Sequence, residues 1–310
     1  MRSPRFCIGF MVRIAVCLWA LPVHAATTFR VATFNLENFL LSPVGTRPGK
    51  PSDGQAQIQN ILFSLQADVV ALQEIGGQNA LLELKAGLEE AGLHYPHWEH
   101  ITAYDTNIQI ALLSRFPITA RRPHTRDSYL LLGRRFRVNR GFLEIDIQVT
   151  PHYSFTLLSA HLKSRRRVSY ADEAEMREQE ALLLRGIIDQ RLSAQPNANL
   201  LLLGDFNDVI DSPPVRSLIG KGRHALVDTR PAERNGDTDP HPNPRYDPRR
   251  ITWTHHFGKE DTFSRIDYIL LSRGMSHEWL PDQTYIHTGP NWGTASDHRP
   301  IIATFSADDR

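Results

Sequence analysis

Cysteine is almost absent from this sequence of 310 residues. The two cysteines, Cys7 and Cys17, both lie within the first 25 residues. If that segment is removed, the remaining chain has no thiol, and it forms neither a disulfide nor a thiolate metal site. The ligands of any bound metal must then be carboxylate, amide or imidazole groups.

The sequence also lacks an excess of charge of either sign. Its 35 basic and 34 acidic residues give a formal net charge of +1. The first 25 residues carry three arginines and no acidic residue, so the rest of the chain has a net charge of 1 − 3 = −2. An anionic substrate must therefore be held by local groups of arginines, because the overall field does not attract it.

The first 25 residues are typical of a secretory signal. A basic start precedes the apolar segment IAVCLWAL and the small-residue end PVHA, which predicts cleavage after Ala25. A membrane anchor is the alternative, but the apolar segment is short for a bilayer. We predict export to the periplasm or the extracellular space, without stable membrane insertion. Met11 is an alternative start, because the segment from Met11 is by itself a more usual leader.

The remaining chain, residues 26–310, is predicted to be one domain made of sheets with helices outside. Its composition is that of an ordinary globular protein, and no short repeat or linker divides it. Eight apolar or alternating runs predict strands: FRVATFNL, DVVALQEI, QIALLSRF, GFLEIDIQV, YSFTLLSAHL, NLLLLGDF, RIDYILLS and RPIIATF. Three segments predict helices: SDGQAQIQNILFSLQA, with a capping Ser/Asp at its start, QNALLELKAGLEEAG, and SYADEAEMREQEALLLRGIIDQRL. Residues Arg230 to Arg250 are rich in Pro, Asp and Asn and predict a long surface loop.

Polar residues of one chemical type recur at the ends of the predicted strands. They are Asn35, Glu74, His161, Asp205, Asn207, Asp267, Asp297 and His298. Each alone is explained by a turn or a solvated strand end. Together, carboxylates, amides and imidazoles are the groups that hold a hard divalent cation such as Mg²⁺ and a phosphate beside it.

In order along the chain, these residues lie in a series of motifs that resembles the endonuclease/exonuclease/phosphatase superfamily. The motifs are TFNLEN, LQEI, SAHLKS, GDFND, RIDYIL and SDHRP, and the resemblance runs from about Phe29 to Phe305. It implies an α/β fold with four layers, an α/β/β/α sandwich of two packed mixed sheets with outer helices. The site is expected at one edge of both sheets.

The resemblance implies a metal-dependent hydrolase that uses Mg²⁺ or Mn²⁺. Glu74 is then the principal metal ligand, assisted by Asn35 and, as a further candidate, Asp297. Asp205 orients or deprotonates the attacking water, and Asn207 holds that water or the phosphate. A metal-acidified water is needed because an ordinary carboxylate is a poor base at neutral pH.

The two histidines are expected to flank the scissile phosphate. His161 and His298 stabilise its developing charge, and Asp267 holds His298 in its tautomer and keeps it protonated. Whether Asp205 or His298 takes the proton of the water is left open by the sequence.

Three further residues are predicted to contact the substrate phosphate. Arg140 resembles a phosphate-contacting arginine of the nuclease members, and Lys163 follows the strand-end histidine in HLKS. Asn107, with Gln109, either lines the cleft or caps a strand. The segment ITWT, residues 251–254, is interpreted as a packing segment rather than a second catalytic motif.

Clusters of arginine indicate the class of substrate. ARRPHTR, GRRFRVNR, KSRRR and PRYDPRR are either ordinary solvated loops or contacts to a polyanion, because arginine binds phosphates bidentately. Two of them lie near Arg140 and His161, which favours a relatively nonspecific endonuclease acting on DNA or RNA. Separately, we predict a monomer with no protein partner. A phosphomonoesterase or a hydrolase of the sphingomyelinase or phospholipase type is the alternative, and a non-catalytic binding module ranks last.

Overall fold

A computed structural model describes residues 27–234, 243 and 250–309. The predicted leader, residues 1–25, and most of the predicted loop from Arg230 to Arg250 lie outside these residues.

Two six-stranded sheets organise the described chain. Its strands are β1 (Thr28–Phe39), β2 (Val69–Ile75), β3 (His97–Ile101), β4 (Gln109–Ser114), β5 (Ile118–Arg121), β6 (Ser128–Leu131), β7 (Arg134–Arg137), β8 (Phe142–Thr150), β9 (Tyr153–His161), β10 (Leu200–Asp205), β11 (Val227–Asp228), β12 (His255–Phe257), β13 (Thr262–Ser264), β14 (Asp267–Leu271), β15 (Trp279–Ile286) and β16 (Ile301–Ser306). The first sheet has the order β15-β16-β1-β2-β4-β3, and the second has the order β11-β14-β10-β9-β8-β5. Both sheets are mixed, because β1 and β2 pair in parallel, as do β9 and β10, while the other pairs within these sheets are antiparallel.

The described residues also form six α-helices, most of which lie on the outer faces of the sheets. They are α1 (Ser52–Leu65), α2 (Gln78–Glu90), α3 (Glu173–Ala194), α4 (Pro213–Ile219), α5 (Arg273–Glu278) and α6 (Trp292–Ala295), with a 3-10 turn at Gly222–His224. No helix of the described residues is long and apolar enough to cross a membrane.

Three apolar clusters make the sandwich four layers thick. The central cluster lies between the sheets and contains side chains such as Phe29 of β1 and Leu203 of β10. A second cluster packs α1 and α2 on the outer face of the first sheet, and a third packs α3 and α4 on the outer face of the second. The predicted α/β/β/α fold is thus confirmed.

The eight predicted strands and three predicted helices all form, with different ends in places. α3 begins only at Glu173 because the Asp172 side chain caps it, accepting hydrogen bonds from the backbone N–H groups of Ala174 and Glu175. The expected cap of α1 is absent: Pro51 occupies the N-cap position and no side chain caps the helix. The sequence did not predict the short strands or β15, which contains Pro281 and forms a sheet edge.

A separate hairpin, β6 and β7, lies beside the sandwich. Its two-residue turn places Leu132 and Gly133 at positive φ angles of 49° and 74°. Leu130 is 62% exposed and Leu132 is 78% exposed. Stacking of Tyr129 on Phe136 holds the hairpin together.

Gly204 is the position where the fold most strictly requires a glycine. Its φ is +131°, and a Cβ atom built there would lie 2.0 Å from the carbonyl oxygen of Ala160 on the neighbouring strand β9. The clash is with backbone and cannot be relieved by a rotamer change. Asp205, the next residue, therefore depends on this close strand pairing for its position.

We expect Gly204→Ala to destabilise the protein by on the order of 3 kcal/mol or more, because both the φ angle and the contact are unfavourable for alanine. Gly186→Ala is the matched control: Gly186 lies on the exposed side of α3, and a Cβ atom added there would meet no other atom within 4 Å. The control should stabilise the protein by about 0.5–1 kcal/mol. Urea unfolding measures both; equal midpoints for Gly204→Ala and wild type would contradict the account.

Candidate active site

Three predicted site residues share one row of the second sheet. Asp205 at the end of β10 is the register partner of His161 on β9 and of Asp267 on β14. Residues directly opposite one another on neighbouring strands project from the same face of the sheet. The row is buried, with Asp205 only 1% exposed.

Asp205 also joins the two sheets. Its Oδ2 accepts a hydrogen bond of 3.0 Å from the side-chain amide of Asn35, which lies on β1 of the first sheet. Its Oδ1 accepts a hydrogen bond of 2.8 Å from the backbone N–H of Asn207, and its Oδ2 accepts a second one of 3.2 Å from the Asn207 side-chain amide. The Asn207 amide also donates to the carbonyl of Leu162 at 3.0 Å. The carboxylate is thus held in one orientation from both sheets.

His298 enters the site from the loop before β16. Its Nδ1 lies 2.8 Å from Oδ2 of Asp267, and its Nε2 lies 3.8 Å from Oδ2 of Asp205. Ser296 fixes the loop, because its hydroxyl donates to the carbonyl of Asn35 and accepts from the backbone N–H of His298. Asp267 therefore orients the ring of His298, and Nε2 is turned toward Asp205.

Glu74 occupies a strained backbone position at the end of β2. Its φ is +58°, and the pairing of β2 with β4 shifts register between Gln73 and Ile75. Such bulges redirect side chains next to functional sites. Oε2 accepts 3.0 Å from the backbone N–H of Asn38, whereas Oε1 lies 3.8 Å from Nε2 of His161, beyond hydrogen-bonding distance. Oε1 is therefore available to a cation.

This arrangement is accompanied by a match in sequence pattern. Residues 32–298 fit the model of the Endonuclease/Exonuclease/phosphatase family. The chain belongs to this family. Its members hydrolyse phosphoric esters, so this chain is a hydrolase of phosphoric esters. The family in general depends on a divalent metal.

Solved structures agree with the family in fold. The catalytic domain of human Nocturnin, determined with a bound sulfate anion, is 16% identical with a TM-score of 0.61, covering 91% of this chain and 95% of that one. Truncated TDP2 of Caenorhabditis elegans is 14% identical with a TM-score of 0.59, and the match covers 90% of this chain and 98% of that one. Sphingomyelinase C of Streptomyces griseocarneus is 17% identical with a TM-score of 0.59, and the match covers 90% of this chain and 100% of that one. No curated protein sequence is a significant match to the chain.

The buried charges of this family member alter one another's titration. Burial, together with the charge of Asp267, raises the pKa of Asp205 to about 7, although His298 and hydrogen bonds oppose this. Burial alone would lower the pKa of His298, but the carboxylates of Asp267, Asp205 and Asp297 outweigh it and raise the pKa to about 10. At neutral pH the site thus holds a protonated His298 beside an Asp205 near its titration midpoint.

His161 differs from His298 in charge. Burial and the positive charges of Arg140 and His298 hold the pKa of His161 well below its ordinary value, so its ring is neutral. Its Nε2 lies 3.4 Å from Oδ2 of Asp205, and its buried Nδ1 has no hydrogen-bond partner among the described residues. His161 therefore contributes a neutral imidazole to the site.

The donor set suits a divalent cation. Glu74 and Asn35 offer a carboxylate and an amide oxygen, the ligand types of Mg²⁺ and Mn²⁺. Elsewhere in the site, Asp205, Asp267 and His298 have ligand atoms within 4.8 Å of one another, as do His255, Asp297 and His298. Oδ1 of Asp267 is buried with no hydrogen-bond partner among the described residues.

The three predicted phosphate contacts lie in different surroundings. Arg140 is buried and donates 2.9 Å to the carbonyl of Leu162, the same oxygen that accepts from Asn207. Lys163 lies nearby, but its amino group donates to the carbonyls of Ser164 and Arg166, and burial lowers its pKa. That amino group fixes the loop that follows β9.

Asn107 is linked to Arg140 through Asp105, whose Oδ2 lies 3.9 Å from Nε of Arg140. It lies in the loop before β4, where its backbone N–H donates to Oδ1 of Asp105 at 2.9 Å. Gln109 accepts from Thr102 and donates to the carbonyl of Thr106, so it braces the same loop. Of the two interpretations that the sequence left open, the contacts of Gln109 favour a structural role at the start of the strand.

Sequence reasoning missed residues that support the site. Asp208, the last residue of GDFND, accepts two hydrogen bonds from the buried guanidinium of Arg177 on α3, and Arg165 contacts both Asp208 and the carbonyl of Asn207. The hydroxyl of Thr254 accepts from the backbone N–H groups of Ile266 and Asp267. These roles depend on contacts between distant segments.

The segment 251–254 both packs and supports the site. Trp253 lies against Phe263, Trp292 and the guanidinium of Arg299, as a packing segment should. The residue after it, His255, lies 3.5 Å from Oδ2 of Asp297. The paired histidines in THHF were the only sequence signal for this contact.

We expect Asp267→Asn to lower the pKa of both Asp205 and His298. The Asp267 charge favours the protonated form of each neighbour, so its removal stabilises the deprotonated forms. Both limbs of the pH–rate profile should move to lower pH, the basic limb by at least about one pH unit. Titration of the His298 imidazole by NMR gives an independent measurement. Asp261→Asn is the control, because Asp261 is exposed and contacts His256 instead; an unchanged His298 pKa in Asp267→Asn would refute the coupling.

Proposed function

We propose that the protein is an exported phosphodiesterase that uses Mg²⁺ or Mn²⁺ and cleaves DNA or RNA with little sequence preference. The observation that carries this proposal is a groove lined by Arg140, which contacts the loop after β9, called here the arginine groove. It has a volume of about 460 Å³, and its lining includes Arg47, Arg140, Lys163, Arg166, Arg167 and Tyr170.

The arginine groove is tied to the site by one shared atom. The carbonyl oxygen of Leu162 accepts from Arg140 in the groove and from Asn207 beside Asp205. A phosphate held by Arg140 is therefore close to the proposed point of cleavage, while Arg166 and Arg167 are exposed and offer contacts to neighbouring phosphates. These local charges matter because the chain without its predicted leader has a net charge of −2.

A second groove is also lined by arginines, and its Tyr104 is the sequence neighbour of Asp105, which lines the arginine groove. It has a volume of about 780 Å³ and is lined by residues that include Tyr104, Arg126, Arg135 and Arg137. Tyr104 is 63% exposed, and the guanidinium of Arg137 lies 5.4 Å from its ring centroid. Arginines beside exposed aromatic rings are typical of surfaces that bind nucleic acid strands.

The proposed roles follow from charge and position. Asp205, with a pKa near neutrality, accepts the proton of the attacking water as the water's oxygen bonds to phosphorus and the ester oxygen leaves. The protonated His298 and the neutral His161 donate hydrogen bonds to the phosphate oxygens, whose charge grows in the transition state. Because His298 is already protonated at neutral pH, Asp205 is the better base of the two.

Glu74 and Asn35 would hold the cation, with Asp297 as a further candidate. Bound there, the ion would polarise the phosphate and lower the pKa of water. Burial and the charge of Asp297 raise the pKa of the neighbouring Glu37, and the charge of Lys50 opposes this shift.

A phospholipid-type hydrolase is the second candidate, favoured by the hairpin β6–β7. Its exposed leucines, Leu130 and Leu132, are apolar groups that a nucleic acid does not need. Arg134 and Arg135 flank them and are exposed as well. A substrate at a lipid surface would use both features.

One substrate panel separates these candidates. Plasmid DNA, RNA, a phosphomonoester, inositol phosphates and sphingomyelin would be assayed with Mg²⁺, with Mn²⁺ and with excess chelator. We expect nicking of plasmid DNA with either ion and none with chelator. Cleavage of sphingomyelin or the monoester alone would refute the nuclease proposal, and full activity in chelator would refute the metal ligands.

Protein recovered from its native host should begin at Ala26, and a full-length cytosolic chain would contradict export.

Two arginines test the groove itself. Replacing Arg166 and Arg167 by alanine should weaken DNA binding and reduce the slope of log affinity against log salt by about 1 for each phosphate that the variant no longer neutralises. Hydrolysis of a small diester should change little. Arg165 is left intact because it holds the Asn207 loop. The control replaces Arg216 and Arg223, which are exposed, carry the same charge and do not line the groove; an equal loss of DNA binding in both variants would exclude a specific groove.

A further inference from the structure

Two histidines and a carboxylate converge at the edge of the site. An isolated bridge pairs the backbone of His255 with that of His298, and their ring centroids are 4.6 Å apart. Asp297 lies between them: Oδ2 is 3.5 Å from Nε2 of His255, and Oδ1 is 3.8 Å from Nε2 of His298. The backbone N–H of His256 donates to the carbonyl of Asp297 and fixes the two segments together.

These separations are somewhat wider than those around a tetrahedral ion, and small side-chain rotations would close them onto one. Zn²⁺ binds imidazole nitrogen and carboxylate oxygen at about 2.0–2.2 Å, so tetrahedral geometry places two such ligands about 3.4 Å apart. All three ligand atoms of this cluster lie within 4.8 Å of one another. Three protein ligands leave a fourth position open for water or phosphate.

The surroundings of His298 are those of a metal-binding histidine. Its Nδ1 is engaged by Asp267 at 2.8 Å, which orients the ring with Nε2 toward Asp297. A carboxylate on the far nitrogen is the usual outer partner of a ligating histidine and makes it a better donor. Carboxylate oxygens of Asp205 and Asp297 each lie 3.8 Å from Nε2 of His298, so a cation at this nitrogen would be next to negatively charged groups.

We propose that His255, Asp297 and His298 form a second cation site that selects a borderline ion of the zinc class and that occupation of this site blocks hydrolysis. The blocking effect rests on the proposed role of His298, whose Nε2 cannot donate to a phosphate while it ligates an ion. Binding of the ion does not depend on that role.

Ligand chemistry separates this site from the proposed Mg²⁺ site. Glu74 and Asn35 are oxygen donors, which suit Mg²⁺, whereas two imidazoles favour Zn²⁺ or Co²⁺. Asp297 belongs to both sets, so the two classes of ion compete for it. The activity of the protein would then respond to the ratio of the two ions.

Metal binding can be measured directly with Co²⁺, which gives strong visible absorption when four-coordinate. We expect the wild type to bind Co²⁺ at one such site, and Zn²⁺, but not Mg²⁺, to displace it at similar concentrations. His255→Ala should lose the absorption. Loss of a group that only hydrogen-bonds a metal ligand weakens metal binding about 10- to 100-fold, so loss of the ligand itself should weaken Zn²⁺ binding by at least about tenfold. His255→Gln, which keeps a polar side chain, repeats the test if the alanine variant folds poorly by circular dichroism.

The neighbouring histidine provides the control. His256 contacts Asp261 and Phe263 rather than Asp297 with its side chain, so His256→Ala should bind Co²⁺ and Zn²⁺ like the wild type. Absence of four-coordinate Co²⁺ in the wild type would overturn the proposal. Retention of the full absorption and affinity in both folded His255 variants would overturn it equally.

Inhibition is measured separately from binding. In Mg²⁺, Zn²⁺ should inhibit hydrolysis by the wild type and by His256→Ala, and at least tenfold more Zn²⁺ should be needed for His255→Ala. If no substrate is hydrolysed, the proposed function fails while the Co²⁺ measurement still decides the metal site. Equal inhibition of all three proteins would overturn the blocking effect.

Discussion

The site depends on the burial of one carboxylate between two sheets. Asp205 is only 1% exposed, and its oxygens accept hydrogen bonds from Asn35 on the first sheet and from Asn207 in the loop that follows β10 of the second sheet. An unpaired buried carboxylate would cost several kcal/mol, so the sheets must keep their alignment for this charge to be tolerated. The same burial raises the pKa of Asp205 to about 7, which gives the carboxylate a basicity suited to neutral pH. The burial of Asp205 therefore both constrains how the two sheets align and gives the carboxylate its proposed role as a base.

The main strands and the polar residues near their ends were predictable because strands have a period of two, whereas the four-layer fold and the roles of the site residues came from the resemblance in sequence motifs. Apolar runs ended at Asn35, His161 and Asp205, and side chains at strand ends fall at a common edge when the strands pair. The positions of these groups relative to one another were not predictable. The hydrogen bond from Asn35 to Asp205 joins residues 170 positions apart, and only the packing of one sheet on the other creates it.

What the sequence did not predict lies in short elements and loops. β12 has three residues, which is too few for a periodic pattern, yet this strand places His255 beside Asp297 and His298. Lys163 was predicted at the phosphate, but its amino group is taken up by two backbone carbonyls. Only the structure separates the arginines of the KSRRR cluster by role. Arg165 supports the Asn207 loop, while Arg166 and Arg167 are exposed along the arginine groove.

The central claim, that Asp205 is the proton acceptor of a phosphodiesterase, is tested most directly by Asp205→Asn. Asparagine keeps the shape of the side chain and one accepting oxygen, but its amide nitrogen cannot accept the hydrogen bond at the other position, and the side chain cannot take a proton. Single-turnover cleavage of plasmid DNA at saturating Mg²⁺ should be slower by on the order of a hundredfold or more, with DNA affinity nearly unchanged. Unfolding by urea should show that the variant remains folded. A folded Asp205→Asn protein that cleaves within about threefold of the wild-type rate would contradict the account.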